Sequence, residues 1–90
     1  MRQIIQPATA GTLESSDVFV QIAPGNGGIE IQLDSVVQAQ FGEEILSVIR
    51  EVLRDCGVED ARLTVQDRGA LDCVIRARVE AAVIRGKGEV

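Results

Sequence analysis

Residues 17–34 read DVFVQIAPGNGGIEIQLD, and this stretch decides the fold class. On each side of the central PGNGG, apolar and polar side chains alternate with a period of two, which is the pattern of a half-buried β-strand. Proline fixes φ and glycine tolerates positive φ, so residues 24–28 should reverse the chain. The stretch therefore predicts two strands paired as a β-hairpin, with these side chains on the buried face: Val18, Val20, Ile22, Ile29, Ile31 and Leu33.

A long amphipathic helix should follow. Ser35 and Gln38 have the spacing of a capping box, in which a hydroxyl and an amide satisfy free N–H groups at a helix start. Apolar residues then recur every three or four positions and stop before Gly57, a residue type that favours a helix C-terminus. The predicted buried stripe consists of Val37, Phe41, Ile45, Val48, Ile49, Val52 and Cys56.

Residues 61–67, ARLTVQD, alternate again and predict a third strand with Leu63 and Val65 inward. Asp67 is a candidate cap for a last helix over residues 70–85, after which the Gly-Lys-Gly sequence should fray. One arc of this helix is predicted to face the core. A second arc either packs on the N-terminal segment or faces a partner; its members are Cys73, Ala77, Ala81 and Ile84.

These elements predict an α+β fold in the order β-β-α-β-α. The simplest arrangement is a small mixed β-sheet of three to four strands with two helices packed on one face, the fourth strand lying within residues 8–13. Ninety residues suffice for one domain, residues 1–90, in which residues 1–9 and 86–90 are expected to be flexible.

The composition argues against catalysis by the chain itself. There is no histidine, and the one lysine, Lys87, lies in the glycine-flanked tail, so a serine nucleophile has no evident base. Glu14 and Asp17 flank two serines, but such acids are more typical of turn caps than of an acid/base pair. GNGGIE, residues 25–30, lacks the third glycine of a nucleotide fingerprint. The acids also lack metal-ligand spacing. We predict no catalytic residues and no metal.

The charge is unevenly distributed. Arg2 is the only base before residue 50, against six acids, so residues 1–49 carry the whole net charge of −5. Such a surface repels nucleic acid and anionic lipid and favours a partner with basic patches. The chain has two Phe and no Trp or Tyr to stack on bases. We predict binding neither to nucleic acid nor to a membrane.

The sequence also carries no signal-peptide or membrane-spanning pattern, which predicts a cytoplasmic protein. Cys56 and Cys73 both lie in predicted helices, and we expect two reduced core thiols. The sequence alone does not decide whether they form a disulfide with each other.

Residues 10–17, AGTLESSD, contain the most informative polar group. A hydroxyl that serves as an anchor needs an exposed loop with small neighbours, and it needs no base of its own because the modifying enzyme brings one. The residues of this candidate docking loop are Gly11, Thr12, Leu13, Glu14, Ser15, Ser16 and Asp17.

Several stretches of the sequence resemble a known family. AGTLESSD, the following VFVQIAP, the FG of residues 41–42, and GALDC followed by RARVEAA in residues 69–82 are similar to the acyl carrier protein, or gamma subunit, of citrate lyase. The similarity extends from about Pro7 to Arg85. Carriers of malonate decarboxylase share the cofactor chemistry but look different around the serine.

The resemblance implies a specific role for one serine. In that family the serine directly after the Glu of GTLES, here Ser15, carries a phosphoribosyl-dephospho-CoA group through a phosphodiester. Its thiol holds acetyl, which the alpha subunit (the acyl transferase) exchanges for citryl and the beta subunit (the citryl lyase) regenerates by cleavage. A prosthetic-group transferase and an acetylating ligase are the other implied partners. A carrier of citramalate lyase, or an interaction module that carries no group, is the alternative.

Overall fold

The computed structural model describes residues 3–89. It contains a four-stranded mixed sheet and two helices, which confirms the predicted α+β class and the fourth strand. In chain order the elements are β1 (Ala8–Gly11), β2 (Val18–Ala23), β3 (Ile29–Ser35), α1 (Gln38–Asp55), β4 (Ala61–Asp67) and α2 (Asp72–Gly86).

The predicted hairpin is wrong. The strand order is β1-β2-β4-β3, so β4 lies between the two strands of residues 17–34, antiparallel to β2 and parallel to β3. The PGNGG loop does reverse the chain, but it also carries it past one strand position. Alternation identifies a strand and its buried face without identifying its neighbour. β4 is an interior strand and β3 an edge strand, and the inward side chains of β4 are more completely buried than those of β3.

Both helices cover one face of the sheet, and the core lies between the two layers. Val18, Val20 and Val65 from the strands are fully buried, as are Ile49 and Val79 from the helices. The opposite face is polar and open to solvent, as expected for a sheet packed on one side. The predicted stripe of α1 is confirmed at Ile45, Val48, Ile49 and Val52 and is wrong at Phe41.

The ends of α1 follow the sequence signals in part. The Gln38 amide oxygen accepts from the Ser35 N–H, as in a capping box, but the Ser35 hydroxyl accepts from the Val37 N–H, and the helix begins at Gln38. At the other end Gly57 has φ +72° and donates its N–H to the Arg54 carbonyl. That positive φ is the geometry for which glycine is preferred after a helix.

Asp67 is not the cap of α2, which begins five residues later. Its carboxylate is buried, accepts the Ser35 hydroxyl at 2.8 Å, and accepts the Ala70 N–H at 3.0 Å. Its carbonyl oxygen accepts the Val36 N–H at 3.2 Å. Asp67 therefore ties the end of β3 to the loop between β4 and α2.

The described parts of the two termini contact each other. The N–H groups of Ile5 and Gln6 donate to the Gly86 carbonyl at 2.9 and 3.3 Å, and the Lys87 ammonium donates to the Cys56 carbonyl at 2.6 Å. The flexibility expected of residues 1–9 and 86–90 stays a prediction, of which residues 1, 2 and 90 lie outside the described part. The contacts favour ends that are held to the body.

We expect Asp67→Ala to lower the free energy of unfolding by about 1–3 kcal/mol, because the hydroxyl and the amide that it binds lose a buried acceptor. Asp34→Ala, at an exposed position of the neighbouring strand, is the control and should change it by less than about 0.5 kcal/mol. Urea unfolding measures both. Equal effects of the two substitutions would contradict the role assigned to Asp67.

Hydrogen exchange tests whether the ends are held. The amide of Ile5 should exchange far more slowly than that of Asn26 in the exposed β2–β3 loop, because its N–H is bonded to Gly86. Exchange of both amides at the rate of an unfolded peptide would instead support frayed ends. NMR measurement at neutral pH distinguishes the two results.

Candidate functional site

The sheet topology brings three loops to one end of the molecule. Val18 is paired with Asp67, and Asp67 with Ser35, while Gly11 is paired with Phe19 on the other side. The loops that follow β1, β3 and β4 therefore leave the sheet together. We call this end, made of residues 12–17, 36–41 and 68–73, the serine end.

Gly11 is needed where the serine loop leaves β1. It has φ +90°, and a Cβ at this position would overlap the carbonyl oxygen of Val18. Only glycine fits both the backbone conformation and the close approach. Its contribution to the loop is therefore to turn the chain, and the prediction that it takes part in docking is untested.

The two serines occupy different positions in one turn. The Asp17 N–H donates to the Glu14 carbonyl at 3.1 Å, so Ser15 and Ser16 form the two corners of a β-turn. Ser16 has φ +66°, and its N–H donates to the Arg68 carbonyl at 2.8 Å. Ser15 is exposed at the first corner. Ser16 is exposed as well, but its backbone is bonded to the β4–α2 loop.

Asp17, the last residue of this turn, fixes its position through side-chain hydrogen bonds. Its carboxylate accepts the Thr12 hydroxyl at 2.7 Å and its own neighbour's N–H, that of Val18, at 2.8 Å. Arg78 of α2 adds a two-pronged contact, with Nε and Nη2 donating to the two carboxylate oxygens at 3.1 and 2.9 Å. Such bidentate pairs fix geometry as well as adding energy. Thr12 and Asp17 thereby position the turn.

These bonds stabilise the ionised form of Asp17. The hydrogen bonds from Arg78, then those from Thr12 and Val18, lower the pKa of Asp17 from 3.8 to about 2. The acid pair of the sequence analysis is therefore unequal. Asp17 is neutralised by Arg78, whereas Glu14 is exposed. Glu14 is left as the outward charge beside Ser15.

Arg78 was not among the predicted site residues. It lies 61 residues from Asp17, and no local pattern links the two. The neighbouring Arg76 pairs with Glu51 of α1 at 2.9 Å.

The two cysteines are reduced, as expected, but one of them is not in the core. Cys73 is exposed in the first turn of α2, so its assignment to the core is wrong. Cys56 is half-buried after α1, and burial raises the pKa of its thiol. Both are free thiols, so the disulfide left open by the sequence is absent.

Other kinds of site are not found in the described chain. Among residues 3–89, no three His, Cys, Asp or Glu side chains are grouped to bind a metal ion. Over the same residues no helix has the length and apolarity that crossing a membrane requires. A shallow depression of about 760 Å³ lies on the open face of the sheet, lined by residues such as Gln21, Gln32 and Arg62, away from the serine loop.

The contact between Asp17 and Arg78 should make stability depend on pH. Because folding lowers the pKa of Asp17, its contribution is complete above pH 4 and is lost as the pH falls towards 2. Arg78→Met should cost about 1 kcal/mol at pH 7 and less than half of that near pH 2, where Asp17 is about half protonated in the folded state. Arg85→Met is the control, since Arg85 donates to the Thr9 carbonyl, which does not titrate. A cost for Arg78→Met that is the same at both values would contradict this account; urea unfolding from pH 7 to 2 measures it.

Comparison with known proteins connects this geometry to a family. The family described as malonate decarboxylase delta subunit matches residues 5–86. The citrate lyase acyl carrier protein of Vibrio cholerae serotype O1 (strain M66-2) is 58% identical over 84 residues, which cover 92% of this chain and 86% of the relative. Citrate lyase acyl carrier protein 2 of Salmonella typhimurium is 52% identical and covers 92% of this chain and 87% of its own.

A solved structure agrees on the fold. A chain from the Pseudomonas malonate decarboxylase hetero-tetramer in complex with malonate has a TM-score of 0.61 and 26% identity, with coverage of 93% of this chain and 82% of that one. The higher identity to the citrate lyase carriers decides between the two groups of relatives. The chain belongs to the citrate lyase acyl carrier protein family.

Proposed function

We propose that Ser15 is the covalent attachment point of the prosthetic group of this acyl carrier, and that the group is phosphoribosyl-dephospho-CoA joined through a phosphodiester. The observation that carries the proposal is the position of Ser15, an exposed residue at the first corner of a turn whose other corner and last residue are bonded to the Arg68 backbone. Ser16 is the competing residue, and its backbone is tied to Arg68.

The chain's own residues fit such a group. A bulky, charged substituent needs a hydroxyl that is exposed to solvent. It also needs a turn held rigidly by the rest of the protein, so that the attachment point keeps its position. Ser15 supplies the first, and the contacts of Asp17 with Thr12 and Arg78 supply the second. Once attached, the group supplies a thiol that carries acetyl or citryl as a thioester.

The carrier itself does not catalyse acyl transfer or cleavage. Next to Ser15 the side chains are those of Glu14 and Ser16, and the sequence has no histidine to activate a hydroxyl. The enzyme that joins the group must therefore bring its own base to the Ser15 oxygen. What the chain contributes is the position of that oxygen.

The partners follow from the same proposal. The relatives are named as carriers of citrate lyase, and the structural neighbour comes from a hetero-tetramer. We infer that the chain works within a multi-subunit lyase, where it exchanges acyl groups with an alpha subunit and a beta subunit. A prosthetic-group transferase and an acetylating ligase act on it beforehand.

Intact-mass measurement on protein purified from its native host tests the attachment point. We expect the natural chain to be heavier than its sequence by the mass of the group, and Ser15→Ala to have the bare mass and to support no lyase turnover. An exposed loop substitution should change the free energy of unfolding by less than about 0.5 kcal/mol, so the loss will not reflect unfolding.

Ser16→Ala is the matched control and should keep both the added mass and the turnover. If the Ser16→Ala chain lacked the added mass and the Ser15→Ala chain kept it, the group would be assigned to Ser16. An unmodified natural chain in an active complex would reject the carrier mechanism altogether.

A further inference from the structure

The large apolar side chains that remain exposed are not spread evenly over the surface. Single exposed apolar residues are ordinary, but a group at one place is informative. In the described chain six are conspicuous, and four of them lie at the serine end, contributed by three different loops. The six are Leu13, Val36, Phe41 and Leu71 at the serine end, and Ile5 and Ile84 elsewhere.

Backbone contacts join the loops that bear these residues. Val36 donates its N–H to the Asp67 carbonyl, and a Cβ on Gly69 would lie 3.9 Å from the Val36 side chain. Leu71 lies two residues after Gly69 and is 71% exposed. Val36 and Leu71 therefore flank the same short loop.

The loop of Leu13 is connected to the same place. Ser16 donates to the Arg68 carbonyl at 2.8 Å, and the Arg68 N–H donates back to the Asp17 carbonyl at 2.9 Å. Phe41 lies in the first turn of α1, with its N–H bonded to the Val37 carbonyl. The four apolar side chains thus lie at the same end of the molecule as the turn that presents Ser15.

Acidic side chains border this apolar group. Five exposed carboxylates belong to the serine end or to the residues next to it: Glu14, Asp34, Glu43, Glu44 and Asp72. The nearby arginines do not offset them. Arg68 contributes one positive charge against the five carboxylates, while Arg76 is paired with Glu51 and Arg78 with Asp17. The border is therefore negatively charged.

We propose that the serine end is the docking surface of the enzyme that attaches the prosthetic group, and that this enzyme presents an apolar centre bordered by basic side chains. The inference rests on the proposed function, since it takes Ser15 as the modified residue. An enzyme that reaches the Ser15 oxygen must approach from this end. A standard interface of about 800 Å² per partner corresponds to a disc roughly 32 Å across. The protein measures 33 × 22 × 18 Å, so a disc of that size covers the loops around Ser15 as well.

The apolar side chains and the acids should contribute differently. Burial of the apolar group supplies affinity, whereas the charged border mainly speeds association and makes it depend on salt. Leu71 and Val36 are the best positions to alter, because both are mostly exposed and neither fills the core.

Titration calorimetry with the host's prosthetic-group transferase and the unmodified chain tests the proposal. We expect Leu71→Ser and Val36→Ser each to weaken binding at least tenfold. Ile5→Ser is the matched control, at a comparably exposed apolar side chain away from the serine end, and Ile84→Ser is a second control at a less exposed one. Both should bind within twofold of the natural chain. Glu14→Lys, which needs no apolar truncation, should slow association and reduce its salt dependence.

The Ser15→Ala chain separates this inference from the proposed function. It should bind the transferase within twofold of the natural chain and never gain mass. If Ser15→Ala stays unmodified but Leu71→Ser and Ile84→Ser bind alike, the docking surface is wrong and the attachment point stands. If Ser15→Ala does gain the group, the attachment point is wrong, whatever the affinities.

Discussion

The position of β4 between β2 and β3 is the constraint on which the rest of the structure depends. Pairing antiparallel with one neighbour and parallel with the other, β4 requires the loops after β1, β3 and β4 to leave the sheet at the same end. Both helices also begin there, and the described parts of the chain termini meet at the opposite end. With β4 at an edge of the sheet, Arg68 would no longer lie beside Ser16, and the backbone bonds between the serine turn and the β4–α2 loop would be lost. The shape of the serine end is thus a consequence of strand pairing, not of any local motif.

Two carboxylates then hold the loops in place. Asp67 is buried and joins the β3–α1 loop to the β4–α2 loop, and Asp17 joins the serine turn to α2 through Arg78. The expected costs of losing these contacts, about 1 kcal/mol for Arg78 and about 1–3 kcal/mol for Asp67, are large for a small domain of limited stability. The acids nearest the serine in sequence and in space therefore have different tasks. Asp17 supports the turn from inside, and Glu14 faces solvent.

Much of this fold could be predicted from the sequence, and the limits have a physical cause. Period-two alternation identified β2, β3 and β4 with their inward faces, and helical spacing identified the buried residues of α1. Strand order was not predictable, because alternation describes one strand at a time. The bond between Arg78 and Asp17 joins residues 61 positions apart. Phe41 and Cys73 lie on the solvent-exposed sides of the first turns of their helices, which helical spacing alone did not predict. The serine loop itself was identified correctly as a loop, while the reason for its shape lay elsewhere in the chain.

The proposed docking surface suits a small carrier that contacts several enzymes in turn. Each visit has to end, so the contact must be weak enough to dissociate, and a few exposed apolar side chains bury less surface than a permanent interface requires. The exposed acids around them keep copies of the chain apart by repulsion and draw basic surfaces closer. Asp17 adds little to this field because Arg78 neutralises it, so the outward charge beside Ser15 comes from Glu14. The exposed acids therefore attract a partner from a distance, and the small apolar contact area lets that partner dissociate. Both kinds of side chain lie at the serine end.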